Sequence, residues 1–90
     1  MTIKLKVHPY LRSFTGNQKV VEVNGNTVGE CIDNLDARFS GIKQRLVNKY
    51  GKMESYWEIY INSENCTAQD LSNPVKDGDE LAIIAFVAGG

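Results

Sequence analysis

The 90-residue sequence has few of the side chains from which enzyme active sites are usually built. It contains one histidine, His8, and two cysteines, Cys31 and Cys66. Two cysteines do not make a disulfide framework, and no spacing of Cys, His, Asp or Glu resembles a metal site. His8 precedes Pro9, a position that is far more often surface than catalytic, and Cys31 lies among apolar residues as a small core residue would. The sequence therefore predicts no metal site and no catalytic constellation.

Long apolar runs and strong charge of one sign are also missing. The longest apolar run covers eight residues, 81–88, which is too short to span a bilayer. The first residues alternate between apolar and polar instead of forming a signal-peptide block, so we expect a cytoplasmic protein. A net charge of −1 without a basic cluster argues against nucleic acid or an anionic membrane as the main partner.

Length and composition predict one domain. Ninety residues of which 42% are hydrophobic and 23% charged are typical of a small globular protein. The sequence has no internal repeat and no linker. We expect a single domain over residues 1–90, with residues 88–90 as a flexible C-terminal tail.

The first half of the chain predicts two strands and a helix. Ile3, Leu5 and Val7 alternate with polar residues, and residues 20–23 form a second β-branched run, so a hairpin is the simplest pairing. Thr27 is a suitable helix N-cap, and Glu30 completes a capping box. One apolar stripe then follows at helical spacing: Val28, Ile32, Leu35 and Phe39. The next apolar residues suggest a second, shorter helical segment: Ile42, Leu46, Val47 and Tyr50.

The second half predicts two more strands. Residues 56–62 place Trp57, Ile59 and Ile61 on one face, and residues 63–74 are polar and irregular, with Leu71 as an anchor and a short edge strand or turn. Asp77-Gly78-Asp79 is a tight turn that leads into the final strand. Leu81 and Ile83 should point inward there.

This order of elements predicts the fold class. The first and last strands are both strongly apolar, which places them side by side at the centre of the sheet. If they are parallel, a right-handed crossover puts the helix on the concave face of the sheet. We predict an α+β protein with the β-grasp, or ubiquitin-like, arrangement: a mixed sheet of four to five strands packed on one main helix.

The end of the sequence is its most unusual feature. Gly89 and Gly90 directly follow an apolar strand and carry no Cβ, so they would form a thin stalk that bears a carboxylate. Such a stalk can enter a narrow channel in another protein, although a frayed end is the alternative. Tyr60, Ile84 and Phe86 should share the sheet face turned away from the helix, and an exposed apolar patch usually marks a partner surface. Cover by Tyr10 or by the 63–74 loop is the alternative.

These features resemble a known family. Asp77-Gly78-Asp79-Glu80-Leu81, the apolar strand and Val87-Ala88-Gly89-Gly90 resemble the C-terminal signature of the MoaD/ThiS family of ubiquitin-like sulfur carriers. Ile61-Asn62 resembles the end of that family's third strand, and Thr27-Val28-Gly29-Glu30 resembles the start of its helix.

The resemblance implies a function. An E1-like enzyme would use ATP to adenylate the Gly90 carboxylate, and sulfur would then replace an oxygen to give a thiocarboxylate. The carrier itself would bind no cofactor and would need only reach, through Gly89, and a docking surface. That surface would consist of residues near the tail: Tyr60, Ile84, Phe86, Val87 and Ala88.

The resemblance leaves the sulfur acceptor open. The chain looks most like the small subunit of molybdopterin synthase, whose acceptor is the large subunit, although that branch commonly has two prolines where Ala85-Phe86 stand. Residues 41–55 are also long for the family. Delivery to another sulfur-metabolite synthase, for cysteine or thiamine, or to tRNA thiolation is possible within the same class. The alternatives from other classes are a ubiquitin-like modifier conjugated through Gly90 and a non-covalent interaction domain.

Overall fold

The chain folds into a mixed five-stranded sheet with helices packed against it. A computed structural model describes residues 2–54, 56–65 and 71–85. The strands are β1 (Thr2–Lys6), β2 (Val20–Asn24), β3 (Trp57–Ile61), β4 (Glu64–Asn65) and β5 (Glu80–Ala85), and the helices are α1 (Val28–Arg38) and α2 (Ile42–Leu46). A short 3-10 turn, Pro9–Leu11, follows β1.

The strand order confirms the predicted β-grasp fold. The sheet runs β2-β1-β5-β3-β4. β1 and β2 form the predicted antiparallel hairpin, and β1 lies parallel to β5 at the centre of the sheet. β5 pairs with β3 in antiparallel register, and the predicted short edge strand is β4. β5 is therefore hydrogen-bonded to a neighbouring strand along each of its two edges.

The core lies between one face of the sheet and the helices. Alternation along the strands buries every second residue, and the predicted helix stripe meets them: Val28, Ile32 and Leu35 are buried, as are Ile59, Leu81 and Ile83. Cys31 is buried in the same core, as predicted. Burial and the nearby Glu30 carboxylate raise the pKa of the Cys31 thiol to about 11, so this thiol is inert at neutral pH.

Two sets of hydrogen bonds define the start of α1, one from side chains at the cap and one from a later segment of the chain. The hydroxyl of Thr27 accepts a hydrogen bond from the Glu30 N–H at 3.1 Å, as predicted for an N-cap. The Glu30 carboxylate accepts from the N–H of Asn26, one residue before the cap, at 3.0 Å. The segment after residue 70 supplies further acceptors, since the Asn73 carbonyl accepts from Val28 and the Leu71 carbonyl from Gly29. The predicted anchor Leu71 thus also caps the helix.

The second helical segment is shorter than predicted. α2 ends at Leu46, and Val47 adopts extended backbone angles and forms a bridge with Met53. The side chain of Asn48 accepts hydrogen bonds from Tyr50 and Lys52, which closes a turn. The placement of Val47 and Tyr50 in a helix was therefore wrong, because the turn chemistry of Asn48 outweighs the apolar spacing.

Candidate functional site

The sheet face turned away from the helices is open and is organised in rows by the strand register. One row crosses four strands and contains Val20, Lys6, Ala82 and Tyr60. The row at the start of β5 carries alternating charge, with Lys4 between Glu22 and Glu80. The row near the end of β5 pairs Ile84 with Glu58. The face therefore changes from charged to more apolar in the direction in which β5 runs.

Two members of the predicted contact surface lie on this face. Ile84 is 43% exposed, and Tyr60 is half-buried and sits on the neighbouring strand in the adjacent row. The Tyr60 hydroxyl donates a hydrogen bond to the Glu58 carboxylate at 3.1 Å. The other predicted residues lie outside the described residues: Phe86, Val87, Ala88, Gly89 and Gly90.

Two of the suggested covers, Tyr10 and residues 71–75, lie elsewhere, while residues 66–70 of the 63–74 loop lie outside the described residues. Tyr10 packs edge-on against His8, with ring centroids 4.6 Å apart, and is itself largely exposed. Residues 71–75 pack on the start of α1 instead, through hydrogen bonds to Asn26, Val28 and Gly29. Neither of these two described segments covers Ile84.

Asn62 fixes the beginning of β5. It follows β3 with a positive φ of 52°, a conformation that asparagine tolerates better than most residues. Its side chain donates to Asp79 Oδ1 at 2.9 Å and accepts from the Glu80 N–H at 2.9 Å. The hydrogen bond from Asn62, together with one from the Lys76 N–H, lowers the pKa of Asp79. Asp77 and Asp79 are turn residues, as predicted, because the Asp79 N–H donates to the Lys76 carbonyl at 2.9 Å. The Asp77 carboxylate also accepts from the Thr2 N–H.

Aromatic side chains surround the other end of β5. Ala85 lies opposite Trp57, which is buried and donates a hydrogen bond from Nε1 to the Arg45 carbonyl at 2.8 Å. The exposed ring of Tyr56 packs against Trp57, with centroids 5.6 Å apart. Ala85, the last described residue of the chain, is therefore paired with a strand whose Trp57 is held by α2.

His8 joins this aromatic cluster, which the sequence analysis missed. Its ring contacts Trp57 edge-on at 5.6 Å, and its Nδ1 accepts from the Tyr10 N–H. Burial and the charge of Arg12 lower the pKa of His8, which favours the neutral imidazole. The prediction of a simple surface residue was incomplete, because His8 is half-buried and its ring packs against Trp57.

The described residues offer a contact surface instead of reactive groups. Within residues 2–54, 56–65 and 71–85, no group of three or more His, Cys, Asp or Glu side chains is placed to hold a metal ion. Cys66 lies outside these ranges. No helix among them has the length and apolar character needed to cross a membrane. What the arrangement can do chemically is to present residue 85, and whatever follows it, beside a partly apolar face.

Comparison with known proteins identifies the family. The model of the ThiS family matches residues 6–90. The chain belongs to the ThiS family. Sulfur carrier protein CysO of Mycobacterium tuberculosis is 37% identical to this ThiS-family chain over 93 residues, and the match covers 100% of both.

Solved structures agree with this assignment. A chain of the BexX/CysO complex of Amycolatopsis orientalis superimposes with a TM-score of 0.90 at 40% identity, and the match covers 98% of this chain and 99% of that one. SAMP1 of Haloferax volcanii gives a TM-score of 0.82 at 25% identity and covers all of both chains. The predicted family and fold are confirmed, and the names of these relatives agree with the prediction of a carrier that is not an enzyme.

The likeness to the molybdopterin branch is weaker. Subunit 1 of a putative molybdopterin converting factor from Pyrococcus furiosus covers 97% of this chain and 99% of its own at only 18% identity, with a TM-score of 0.73. That similarity shows the shared fold and leaves the choice of pathway open.

Proposed function

We propose that this ThiS-family chain is a sulfur carrier whose Gly90 carboxylate is converted to a thiocarboxylate. The observation that carries the proposal is the family match, which runs to residue 90, on a fold whose last strand is central and leads directly into residues 86–90. A central strand makes a firm base, because β1 and β3 hold it on both sides.

The proposed chemistry takes place in a partner enzyme. A Gly90 carboxylate oxygen attacks the α-phosphorus of ATP in an E1-like enzyme, and pyrophosphate leaves. A hydrosulfide, or an equivalent sulfur nucleophile, then attacks the carbonyl carbon of the adenylate, AMP leaves and one proton is released. Gly89 and Gly90 suit this role because neither has a Cβ to hinder passage through a narrow channel. The cytoplasmic location stays a prediction.

The proposed docking surface is the open face beside β5. Tyr60 and Ile84 provide its described part, and Phe86, Val87 and Ala88 would extend it along the tail. Ile84 would form its centre because it is exposed and stands in the row nearest the tail. Burial of an exposed apolar side chain against a partner is the usual source of affinity at such a site.

A CysO-type carrier is the best-supported member of the class. The relatives named CysO are 37–40% identical over nearly the whole chain, whereas the molybdopterin-related neighbour is 18% identical. We therefore propose a sulfur-metabolite synthase as the acceptor in preference to a molybdopterin synthase large subunit. The BexX/CysO complex is an example of a carrier of this type held by another protein.

Conjugation to proteins is the second candidate. It is favoured by the similarity to SAMP1, a small archaeal modifier protein, over the whole length of both chains. In that case the Gly90 adenylate would react with a lysine amine instead of a sulfur nucleophile. An isopeptide between Gly90 and a lysine in the mass spectrum of cell extracts would identify this route.

ATP–pyrophosphate exchange catalysed by the E1-like enzyme tests the proposal. The intact chain should support exchange, whereas deletion of Gly90, or one alanine added after it, should abolish exchange because the carboxylate no longer reaches the α-phosphorus. Both variants should keep the circular dichroism spectrum of the intact chain. Exchange at the full rate without Gly90 would exclude the proposed role of the tail.

A pair of substitutions on the open face tests the docking surface. Ile84→Asp should weaken binding to the activating enzyme by about tenfold or more, since a charge at the centre of a contact must be desolvated. Val20→Asp is the matched control, because Val20 is 49% exposed on the same face but on the far edge strand. Equal affinities of the two variants in calorimetry would remove Ile84 from the proposed surface.

A further inference from the structure

Residues 41–53 form a basic segment within a mildly acidic protein. The segment contains four cationic residues and no Asp or Glu, and the cations are Lys43, Arg45, Lys49 and Lys52. The rest of the chain has six lysines and arginines against eleven aspartates and glutamates. The prediction that the chain has no basic cluster therefore fails for this segment, because it relied on the charge of the whole chain.

The fold places this segment beside the end of β5. α2 is fixed to the core by Ile42 and Leu46, which are fully buried. The carbonyl of Arg45 accepts the hydrogen bond from the Trp57 indole at 2.8 Å, and Trp57 lies opposite Ala85. The backbone of α2 therefore contacts the residue that pairs with Ala85, the last described residue before the tail.

Two of the four cations lie against aromatic rings, whereas Lys43 forms an ion pair with Asp33. The Arg45 guanidinium lies 5.7 Å from the centre of the Phe14 ring, and the Lys49 ammonium lies 5.2 Å from that of Tyr50. Arg45, Lys49 and Lys52 are all exposed. Contacts of a cation with an aromatic face restrict the side chain but leave its full charge.

A surface hollow of about 400 Å³ lies beside these cations. It lies between α1, α2 and the turn that follows, and its lining residues include the acidic Asp36 as well as Lys43, Lys49 and Val47. Lys43 also pairs with Asp33 on α1, at 2.5 Å. A side chain that projects from a partner could enter this hollow and meet the ammonium group of Lys49.

We propose that residues 41–53 are a docking surface for an acidic patch on the E1-like activating enzyme, next to the opening that receives the tail. The inference rests on the proposed function, in which every alternative acceptor requires this same enzyme. Charges at the rim of an interface mainly increase the association rate and orient the encounter. A carrier that visits an enzyme in each cycle benefits from fast association without a long residence time.

An acidic protein fits the segment better than RNA does. The remainder of the molecule is acidic, so its field would repel a polyphosphate backbone, while it would help to orient the carrier on a protein with a local acidic patch. Four cations would also neutralise few phosphates, whereas nucleic-acid affinity grows with the number neutralised.

Stopped-flow association with the activating enzyme tests the inference. The double variant Lys49→Glu/Lys52→Glu should associate about tenfold more slowly at low ionic strength. The difference should disappear near 1 M salt, where the screening length is about 3 Å. Lys19→Glu/Lys76→Glu is the matched control, with the same change in charge at exposed positions away from the segment, and should slow association much less.

The outcomes separate this inference from the proposed function. Equal association rates for the two double variants would overturn the docking surface, provided that the intact chain supports pyrophosphate exchange. An intact chain that neither associates with the enzyme nor supports exchange would overturn both proposals. A gel shift of transfer RNA that is lost in Lys49→Glu/Lys52→Glu, with unchanged association with the enzyme, would replace the acidic protein by RNA.

Discussion

Asn62 shows how one polar side chain links distant parts of the sheet. It bonds to Asp79 and to the Glu80 backbone with the amide in its side chain and occupies a left-handed backbone conformation. Asn62→Ala should lower the free energy of unfolding by about 1–3 kcal/mol, because both bonds are lost and alanine is strained at positive φ.

Asn62→Gly separates the two contributions in chemical denaturation. Glycine removes the same hydrogen bonds but accepts the positive φ without strain, so this variant should be the more stable of the two. If both variants unfold at the denaturant concentration of the intact chain, Asn62 does not stabilise the start of β5.

The same site makes a prediction about pH. The Asn62 and Lys76 hydrogen bonds lower the pKa of Asp79 in the folded state, so the stabilisation is present above the ordinary aspartate pKa. It is lost as the pH falls through the lowered value. The stability difference between the intact chain and Asp79→Asn should thus be largest near pH 7 and shrink in acid. A difference that grows on acidification in urea titrations would contradict this assignment.

The sequence predicted the turn at Asp77-Gly78-Asp79 but not the hydrogen bonds that Asn62 makes to it. Asp77-Gly78-Asp79 was identified as a turn because its chemistry is local. The partner Asn62 is 17 residues from Asp79, and only the folded sheet brings the two together. His8 was underestimated for the same reason, since its contact with Trp57 spans the width of the sheet's end.

At the scale of elements, the close packing of residues 71–75 against the start of α1 depends on Gly29. A Cβ on Gly29 would stand 3.0 Å from the Leu71 carbonyl oxygen and 3.3 Å from the Leu71 Cβ. Helix propensity alone favours Gly29→Ala by about 1 kcal/mol, whereas the close approach opposes it. We expect the contact to prevail and thermal unfolding to occur at a lower temperature. A stabilised Gly29→Ala variant would show that residues 71–75 yield easily.

The division of the sheet into a buried and an open face gives a second prediction. Leu35→Ala and Ile83→Ala should each lower the free energy of unfolding by about 2–5 kcal/mol, since both side chains are buried in the core. Tyr60→Ala, on the open face, should cost much less. Similar losses at all three positions in urea denaturation would contradict the assignment of the faces.

Periodic elements were predictable, whereas the point at which α2 ends was not. Strict alternation in β1 and β5 and the stripe of α1 determine which residues face the core, so the main topology could be predicted. The spacing of Val47 and Tyr50 also suits a helix, but Asn48 closes a turn and Met53 pairs with Val47 instead. The apolar spacing alone did not take account of the turn that the Asn48 side chain closes.

At the scale of the whole molecule, the chemical character of the described surface changes along β5. The open face is charged near the start of β5 and carries Ile84 near its end. The basic segment 41–53 packs on the opposite, helix-covered side, through the hydrogen bond between Trp57 and Arg45. Family membership could be predicted because the motifs at residues 27–30 and 77–90 are local. The preference for the molybdopterin branch could not be tested from the residues, because the choice of acceptor depends on the surface of another protein.

The mass of the intact protein after reaction tests the central claim most directly. Incubation with the E1-like enzyme, ATP and a sulfide donor should change the mass by one oxygen-to-sulfur exchange, located at Gly90 by fragmentation. Gly89→Val should fold normally and fail to react, because the added side chain narrows the path of the tail. An unchanged mass for the intact chain, under conditions in which the enzyme converts its own carrier, would contradict the account. Sulfur transfer in cells by a chain without Gly90 would contradict it as well.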